Sequence, residues 1–251
     1  MRRKFGIIGY PLGQSASPAF FNSKFANEGI DAEYIPFEIA DINELPRIIA
    51  ENHELCGFNV TIPYKVQVMQ YLGSISDEAK AIDAVNVVKV THGADGTAHL
   101  TGHNSDVIGF TRSLAPLLEE HHKKALILGT GGASKAIACS LRSLGIEYLF
   151  VSRKESENAI AYSQLTDDIM SQHTLIVNCT PLGMVGHAID QCPDIPYDKL
   201  TSKHLLYDIV YNPQDTLFLQ KGAQAGAATK SGYEMWYLQA LASWEIWNSG
   251  D

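Results

Sequence analysis

The residues of this chain best suited to chemistry are Ser15 and Ser17, Asn59, Thr61 and Lys65, Asn86, and Asn104 with Asp106. Each stands where a short apolar run of strand length gives way to a loop or to a stretch with helical spacing, and ligands of open parallel sheets collect at the carboxyl ends of strands. Hydroxyls, amides, one ammonium and one carboxylate suit a small polyhydroxylated acid. They do not suit a lipid or a peptide. Ser17 and Asp106 also have the residue types of helix caps. Lys65 is less easily explained as structure. Pro63 is expected to open a helix with Lys65 in its first turn, where a cation opposes the helix dipole. Desolvation there would disfavour the charged ammonium, which is what an acid-base lysine needs.

A second group lies further on. Ala125-Leu126-Ile127-Leu128-Gly129-Thr130-Gly131-Gly132-Ala133-Ser134-Lys135-Ala136 reads as strand, tight turn, helix. Glycines let the backbone turn with positive φ and let a ligand come close, and the free N–H groups of the helix start suit a phosphate. The third glycine of the dinucleotide fingerprint is replaced by Ser134 or Lys135, so the match is to a relaxed form, G-x-G-G-A. The next strand, 147–151, ends at Ser152-Arg153-Lys154 rather than at an acid. A guanidinium and an ammonium at that point suit a 2′-phosphate, so NADP is preferred over NAD.

Strands are expected at 5–9, 34–37 and 57–62, alternating with a helix from Ser17-Pro18 to Gly29 and another opened by Asp41 and Glu44 as a capping box and running to about 52. This succession implies a mostly parallel sheet. Runs 84–90 and 98–102 flank a glycine-containing loop and read as a hairpin, and a helix from 106 to about 120 follows. After Lys154 the pattern thins. A parallel crossover ordinarily takes a dozen or more residues, so the helix after this strand is expected to be short or missing, with a brief helix at 166–172 in its place. Strands at 174–178, 205–211 and 227–229, a helix at 216–226 and a last helix at 233–247 complete the chain.

A net charge of −9 with no stripe of Lys and Arg argues against a sequence-independent nucleic-acid binder. Cys56, Cys139, Cys179 and Cys192 stand too far apart for a C-x-x-C pair, so no metal site and no disulfide scaffold is expected; they read as reduced thiols of a cytoplasmic protein. His121-His122 sits in a polar stretch and is expected to be solvated. The basic opening, Arg2-Arg3-Lys4, is followed too soon by Gly9, Pro11 and Gln14 for a signal peptide. No run approaches the roughly 18 apolar residues of a membrane helix.

Taken together, the motifs resemble the shikimate dehydrogenase family nearly end to end. Ser15-Ala16-Ser17-Pro18 is similar to its S-x-S-P, Asn59 through Lys65 to its N-V-T-x-P-x-K, Ala84-Val85-Asn86 to its A-V-N and Asn104-Ser105-Asp106 to its N-T-D. Gly129 through Ala133, Asn178-Cys179-Thr180-Pro181-Leu182-Gly183-Met184, Asp208-Ile209-Val210-Tyr211-Asn212-Pro213, and Gly232 through Gln239 continue it. The resemblance implies a two-domain α/β fold. An N-terminal, mostly parallel substrate domain (1–104 plus 232–251) would receive the C-terminal helix, and 105–231 would be a Rossmann-like NADP-binding domain. It implies reversible reduction of 3-dehydroshikimate to shikimate with NADPH, a step of aromatic amino acid biosynthesis, by a monomer or homodimer.

Family roles then fall on matching positions. Ser15 and Ser17 would grip the substrate carboxylate, with Asn59, Thr61, Asn86, Asp106, Tyr211 and Gln239 around its ring and hydroxyls, and Lys65 with Asp106 would handle the proton. The cofactor would meet Gly129, Thr130, Gly131, Gly132, Ala133, Ser152, Arg153, Lys154 and Thr180, with Ile209 and Gly232 near the nicotinamide and Asp77 at a further cofactor position. Gln14, Ala16, His103 and Val107 depart from the family's usual histidine, basic residue, acid and glycine, and none of them removes a proposed catalytic group. A quinate-preferring enzyme using NAD, or a ligand sensor that keeps the fold without turnover, stays open.

Overall fold

The first apolar run is hydrogen-bonded on both sides. In the computed structural model, which describes residues 2–13 and 15–250, β1 (Arg3–Gly9) pairs in parallel with β2 (Ala32–Glu38) and with β3 (Leu55–Val60). The departure at Gln14 falls outside the described residues. Helix α1 (Ser17–Glu28) crosses from β1 to β2 and ends on Gly29, whose φ of 64° is the left-handed conformation that terminates helices. Helix α2 (Leu45–Glu51) crosses from β2 to β3. Beyond β3 the sheet continues through β5 (Val87–His92), antiparallel, to β6 (Ala98–His103), and ends at the two-residue β4 (Ser74–Ile75); α3 (Asp77–Ile82) lies between β4 and β5 in the chain.

One apolar cluster of this sheet gathers Ile8, Leu45, Phe58, Val68 and Val88, and the other gathers Phe5, Phe21, Phe25, Tyr34 and Trp247. Trp247 lies so close to Gly57 that a Cβ there would sit 2.3 Å from the indole. Its Nε1 donates to the Val88 carbonyl at 3.0 Å, fastening the end of the last helix to the sheet.

The second sheet is parallel throughout. Its strands are β7 (Lys124–Leu128), β8 (Glu147–Ser152), β9 (Ala159–Ala161), β10 (Leu175–Asn178), β11 (Leu205–Asp208) and β12 (Ala228–Ser231), in the spatial order β12-β11-β10-β7-β8-β9. The order in which strands are added reverses between β7 and β10, the switch point at which doubly wound sheets bind ligands. Helices α4 (Asp106–Leu114), α5 (Gly132–Ser143), α6 (Asp167–Gln172), α7 (Leu217–Gln224) and α8 (Tyr233–Asn248) accompany it.

The chain divides into two compact units, 1–105 with 240–251, and 106–239. Helix α8 is shared between them. Its first turns belong with the second unit: a Cβ on Gly109 of α4 would lie 2.5 Å from the Met235 carbonyl oxygen, so those two backbones touch.

Local structure departs from expectation at several points. No helix starts at Pro63: the Lys65 carbonyl accepts from the Val85 N–H at 2.8 Å instead of serving a helical turn, and only a 3-10 helix, Gln67–Tyr71, follows. Lys65 therefore faces no helix dipole. Ala16, not Ser17, occupies the cap position of α1, with no side-chain capping bond. Asp41 accepts from the Asn43 N–H, yet Glu44 pairs with Arg47 instead of closing the box. Helix α4 stops at Leu114, and Ala115–Leu117 tightens into a 3-10 turn around Pro116. His122 is 5% exposed and accepts from the Glu119 N–H at 2.9 Å, so it is a loop-closing residue and not a solvated one. Between β8 and β9 the connector is 153–158 with no helix, and Leu149 of β8 is left 37% exposed on the face where Val151 is buried. Among the described residues no helix is long and apolar enough to cross a membrane.

Candidate functional site

The second unit aligns its candidates on one row. The register sets Leu128 beside Val151 and Asn178, Asn178 beside Asp208, and Asp208 beside Ser231. Gly129, Ser152, Thr180, Ile209 and Gly232 then stand one or two residues past that row, at the carboxyl ends of five neighbouring strands. Backbone bonds continue the alignment: the Gly129 N–H reaches the Val151 carbonyl at 2.8 Å, the Cys179 N–H the Leu128 carbonyl at 2.8 Å, and the Ile209 N–H the Asn178 carbonyl at 3.1 Å.

Gly129 has a φ of 104°, and a Cβ on it would come within 3.1 Å of the Thr180 methyl, so the two loops flanking the switch point touch. Helix α5 opens at Gly132 with Gly131 as its cap, and a Cβ on either glycine would meet nothing within 4 Å. Space in front of this helix start is open, which fits a pyrophosphate approached by backbone N–H groups. The missing third glycine is explained by Ser134, which is buried and turns its hydroxyl back onto the Gly131 carbonyl at 2.6 Å. Thr130, Arg153 and Lys154 are exposed beside the row, and Ala133 is half-buried in the first turn of α5. The Ser152 hydroxyl donates to the Lys154 carbonyl and folds the start of the connector.

Within the row lies a buried carboxylate, Asp208, to which the motif 208–213 assigns no role. Asp208 accepts from the Asn178 side-chain amide at 3.0 Å, the Val210 N–H at 3.0 Å and the Thr216 hydroxyl at 2.6 Å. Burial pushes its carboxyl up to about 6, against the pull of those three donors. Asn178 in turn accepts from the Thr180 hydroxyl at 2.7 Å and N–H at 3.0 Å, so Asp208 holds Thr180 through Asn178.

Ile209 and Gly232 meet directly. A Cβ on Gly232 would be 2.3 Å from the Ile209 carbonyl oxygen, which leaves glycine as the residue that fits, and the Gly232 N–H donates to the Val210 carbonyl at 3.1 Å. Tyr211 lies just past them, half-buried, and Gln239 is half-buried on α8. Asp106 begins α4 and is 8% exposed.

In the first unit the candidates are tied to one another by side chains. Asn59 accepts from the Tyr34 hydroxyl at 2.8 Å and donates to Ser243 at 2.9 Å and to the Asn86 carbonyl at 3.3 Å. Both of its amide hydrogens are thereby used within the protein, which makes Asn59 a holder of the site. Asn86, which precedes β5, accepts from the Ser105 N–H at 2.7 Å and donates to its hydroxyl at 3.2 Å, and Ser105 and Ser243 share a bond of 3.2 Å. Asn104 donates to the Ala84 carbonyl at 3.0 Å. Burial raises the Tyr34 phenol well above its ordinary range, with a hydrogen bond to Ser17 pulling the other way, so the network reaches Ser17.

Thr61, Ser15 and Lys65 are half-buried at its margin; the Thr61 N–H donates to the Ile8 carbonyl at 2.9 Å, linking the ends of β1 and β3. Asp77 is the residue expected at a further cofactor position. It belongs to the first unit, begins α3, is fully exposed and pairs with Lys80 at 3.3 Å. Tyr34, Ser243 and Thr216 have no role in the sequence analysis, because a single hydroxyl carries no spacing signal.

Residues 7–88 match the model of the shikimate dehydrogenase substrate binding domain. The curated shikimate dehydrogenase (NADP(+)) of Carboxydothermus hydrogenoformans is 35% identical over 259 residues, which cover 96% of this chain and 90% of that protein. The chain belongs to the shikimate dehydrogenase family. Shikimate 5-dehydrogenase of Thermus thermophilus, solved in complex with NADP(H) and shikimate, superposes with a TM-score of 0.84 at 27% identity over 98% of this chain and 93% of that one. Quinate dehydrogenase of Corynebacterium glutamicum, solved with NAD, gives the same TM-score at 25% identity over 98% and 93%. The shikimate dehydrogenase fold, a mixed substrate sheet and a Rossmann-like sheet, is therefore the fold of this chain.

Proposed function

We propose that the protein is an NADP-dependent shikimate dehydrogenase, reducing 3-dehydroshikimate reversibly to shikimate in the cytoplasm. One observation carries the choice of chemistry: the open glycine turn, the Arg153-Lys154 pair and the Ile209–Gly232 contact all stand on a single row of strand ends at a switch point. The curated relative's NADP and the bound NADP(H) and shikimate of the Thermus thermophilus enzyme support the same reading.

Bound NADPH supplies the hydride. Gly129 through Ala133 hold the pyrophosphate by backbone N–H groups, and Ser152, Arg153 and Lys154 receive the 2′-phosphate. Thr180 would line the wall next to Gly129, and Ile209 and Gly232 would stand beside the nicotinamide. Ser15 and Ser17 bind the substrate carboxylate; Thr61, Asn86, Tyr211 and Gln239 bind its ring and hydroxyls. Lys65 gives a proton to the developing alkoxide, with Asp106 as the second residue of the acid-base pair.

Initial rates with shikimate and quinate, each crossed against NADP and NAD, test this. Shikimate with NADP should be fastest. A faster rate with quinate and NAD would make the protein a quinate dehydrogenase, and a folded protein that binds shikimate without turnover would make it a sensor. Lys65→Ala should lower kcat by about 10²- to 10⁴-fold with a much smaller change in KM; an unchanged kcat removes the lysine from the chemistry.

A further inference from the structure

We infer that Trp236 is a positioning residue for Tyr211, an inference that rests on the proposed role of Tyr211 at the substrate. Two aromatic residues at the start of α8, Tyr233 and Trp236, lie near Tyr211 of the loop after β11. The Trp236 ring stacks on the Tyr211 ring with centroids 5.4 Å apart and planes 23° from parallel, and the Tyr233 ring is 5.7 Å from the indole at 41°. Trp236 belongs to neither hydrophobic cluster of its unit, whereas the adjacent Met235 is part of one. Its contact with the Tyr211 ring thus lies outside those two clusters.

The stack is also indexed to the nicotinamide wall. The Trp236 N–H makes the first helical bond of α8, to the Gly232 carbonyl at 2.9 Å, and Gly232 is locked against Ile209 and Val210 of the loop that carries Tyr211. One end of that loop is therefore fixed by backbone contact and the other by ring contact. A phenol held by an offset stack keeps its hydroxyl in one direction without any hydrogen bond to its ring. Loss of the stack loosens the ring, and that part of its ordering then falls to the moment of substrate binding, at a cost in affinity and not in the chemical step.

Trp236→Leu tests this against the native protein. The KM for shikimate should rise about two- to tenfold, the value of one aromatic pair, while kcat and the KM for NADP each stay within about twofold. Trp236→Phe keeps a ring in place and should recover most of the native KM. In the double variant Tyr211→Leu/Trp236→Leu, the KM should rise no further than with Tyr211→Leu alone, because the stack acts through the tyrosine. A shikimate KM indifferent to Trp236→Leu, a Phe variant as impaired as the Leu variant, or effects that add in the double variant overturns the inference. Native protein without turnover overturns the proposed function itself, and the inference with it; native turnover with a KM indifferent to Trp236 overturns the inference alone.

Discussion

The two sheets hold their candidate residues by opposite means. In the first unit, side chains hold side chains: Tyr34, Asn59, Asn86, Ser105 and Ser243 are buried and bonded in a continuous chain, and Asn59 has no amide hydrogen left to offer. In the second, the row of strand ends is built from backbone, with Gly129, Gly131 and Gly232 serving by what they lack. The difference matches the two ligands. A small polyhydroxylated acid is recognised hydroxyl by hydroxyl, which requires fixed side-chain donors and acceptors. A pyrophosphate is recognised as charge and shape, which N–H groups at a helix start satisfy whatever the side chains are.

The largest effect is expected where the side-chain network is broken at its hub. Asn59→Leu removes three buried hydrogen bonds at once, those to the Tyr34 and Ser243 hydroxyls and to the Asn86 carbonyl, at about 3 kcal/mol in total. Urea unfolding measures it, and a loss below about 1 kcal/mol would mean that the network is ornamental to stability.

Asp208 sharpens the contrast, since it is a fully buried carboxylate in the backbone row. Its folded pKa of about 6 lies above the ordinary value, so the proton it takes up favours the folded state. That contribution is complete below about pH 4 and disappears as pH rises through about 6, and a two-unit shift corresponds to about 3 kcal/mol at most. The stability of the native protein relative to Asp208→Asn should accordingly increase as pH is lowered from 7.5 toward 4.5, in paired urea titrations. A pH-independent difference would place the carboxyl at its ordinary value.

A smaller change is expected at the turn. Gly129→Ala forces a side chain into a φ of 104° and to 3.1 Å from the Thr180 methyl, at about 1–2 kcal/mol. Weaker NADP binding with an unchanged shikimate KM would keep the two means of holding separate. Equal losses for both ligands would join them.

These contrasts decide what could be read beforehand. The parallel sheets and the glycine turn were legible because an apolar run ended by Gly129 or by Ser152-Arg153 is a pattern of spacing, and spacing is what a chain displays. The helix assigned to Pro63 failed because the Lys65 carbonyl is committed to Val85, a partner distant in sequence. Ser17 failed as a cap because the helix already includes it and Ala16 takes the cap position. Ser243 and Tyr34 could not be found at all: each is one polar atom on an otherwise apolar face, and only the fold supplies its partner. Asp208 was visible in a motif, but its burial, which gives it a property, was not.

The short connector at 153–158 leaves a practical opening for engineering. Because it omits the helix that ordinarily covers this part of a doubly wound sheet, Leu149 is an oily spot next to the terminal strand β9, Ala159–Ala161. A polar residue there would be a low-cost way to better-behaved preparations at high concentration, and a grafted amphipathic segment spliced into the connector would find a ready-made greasy seat.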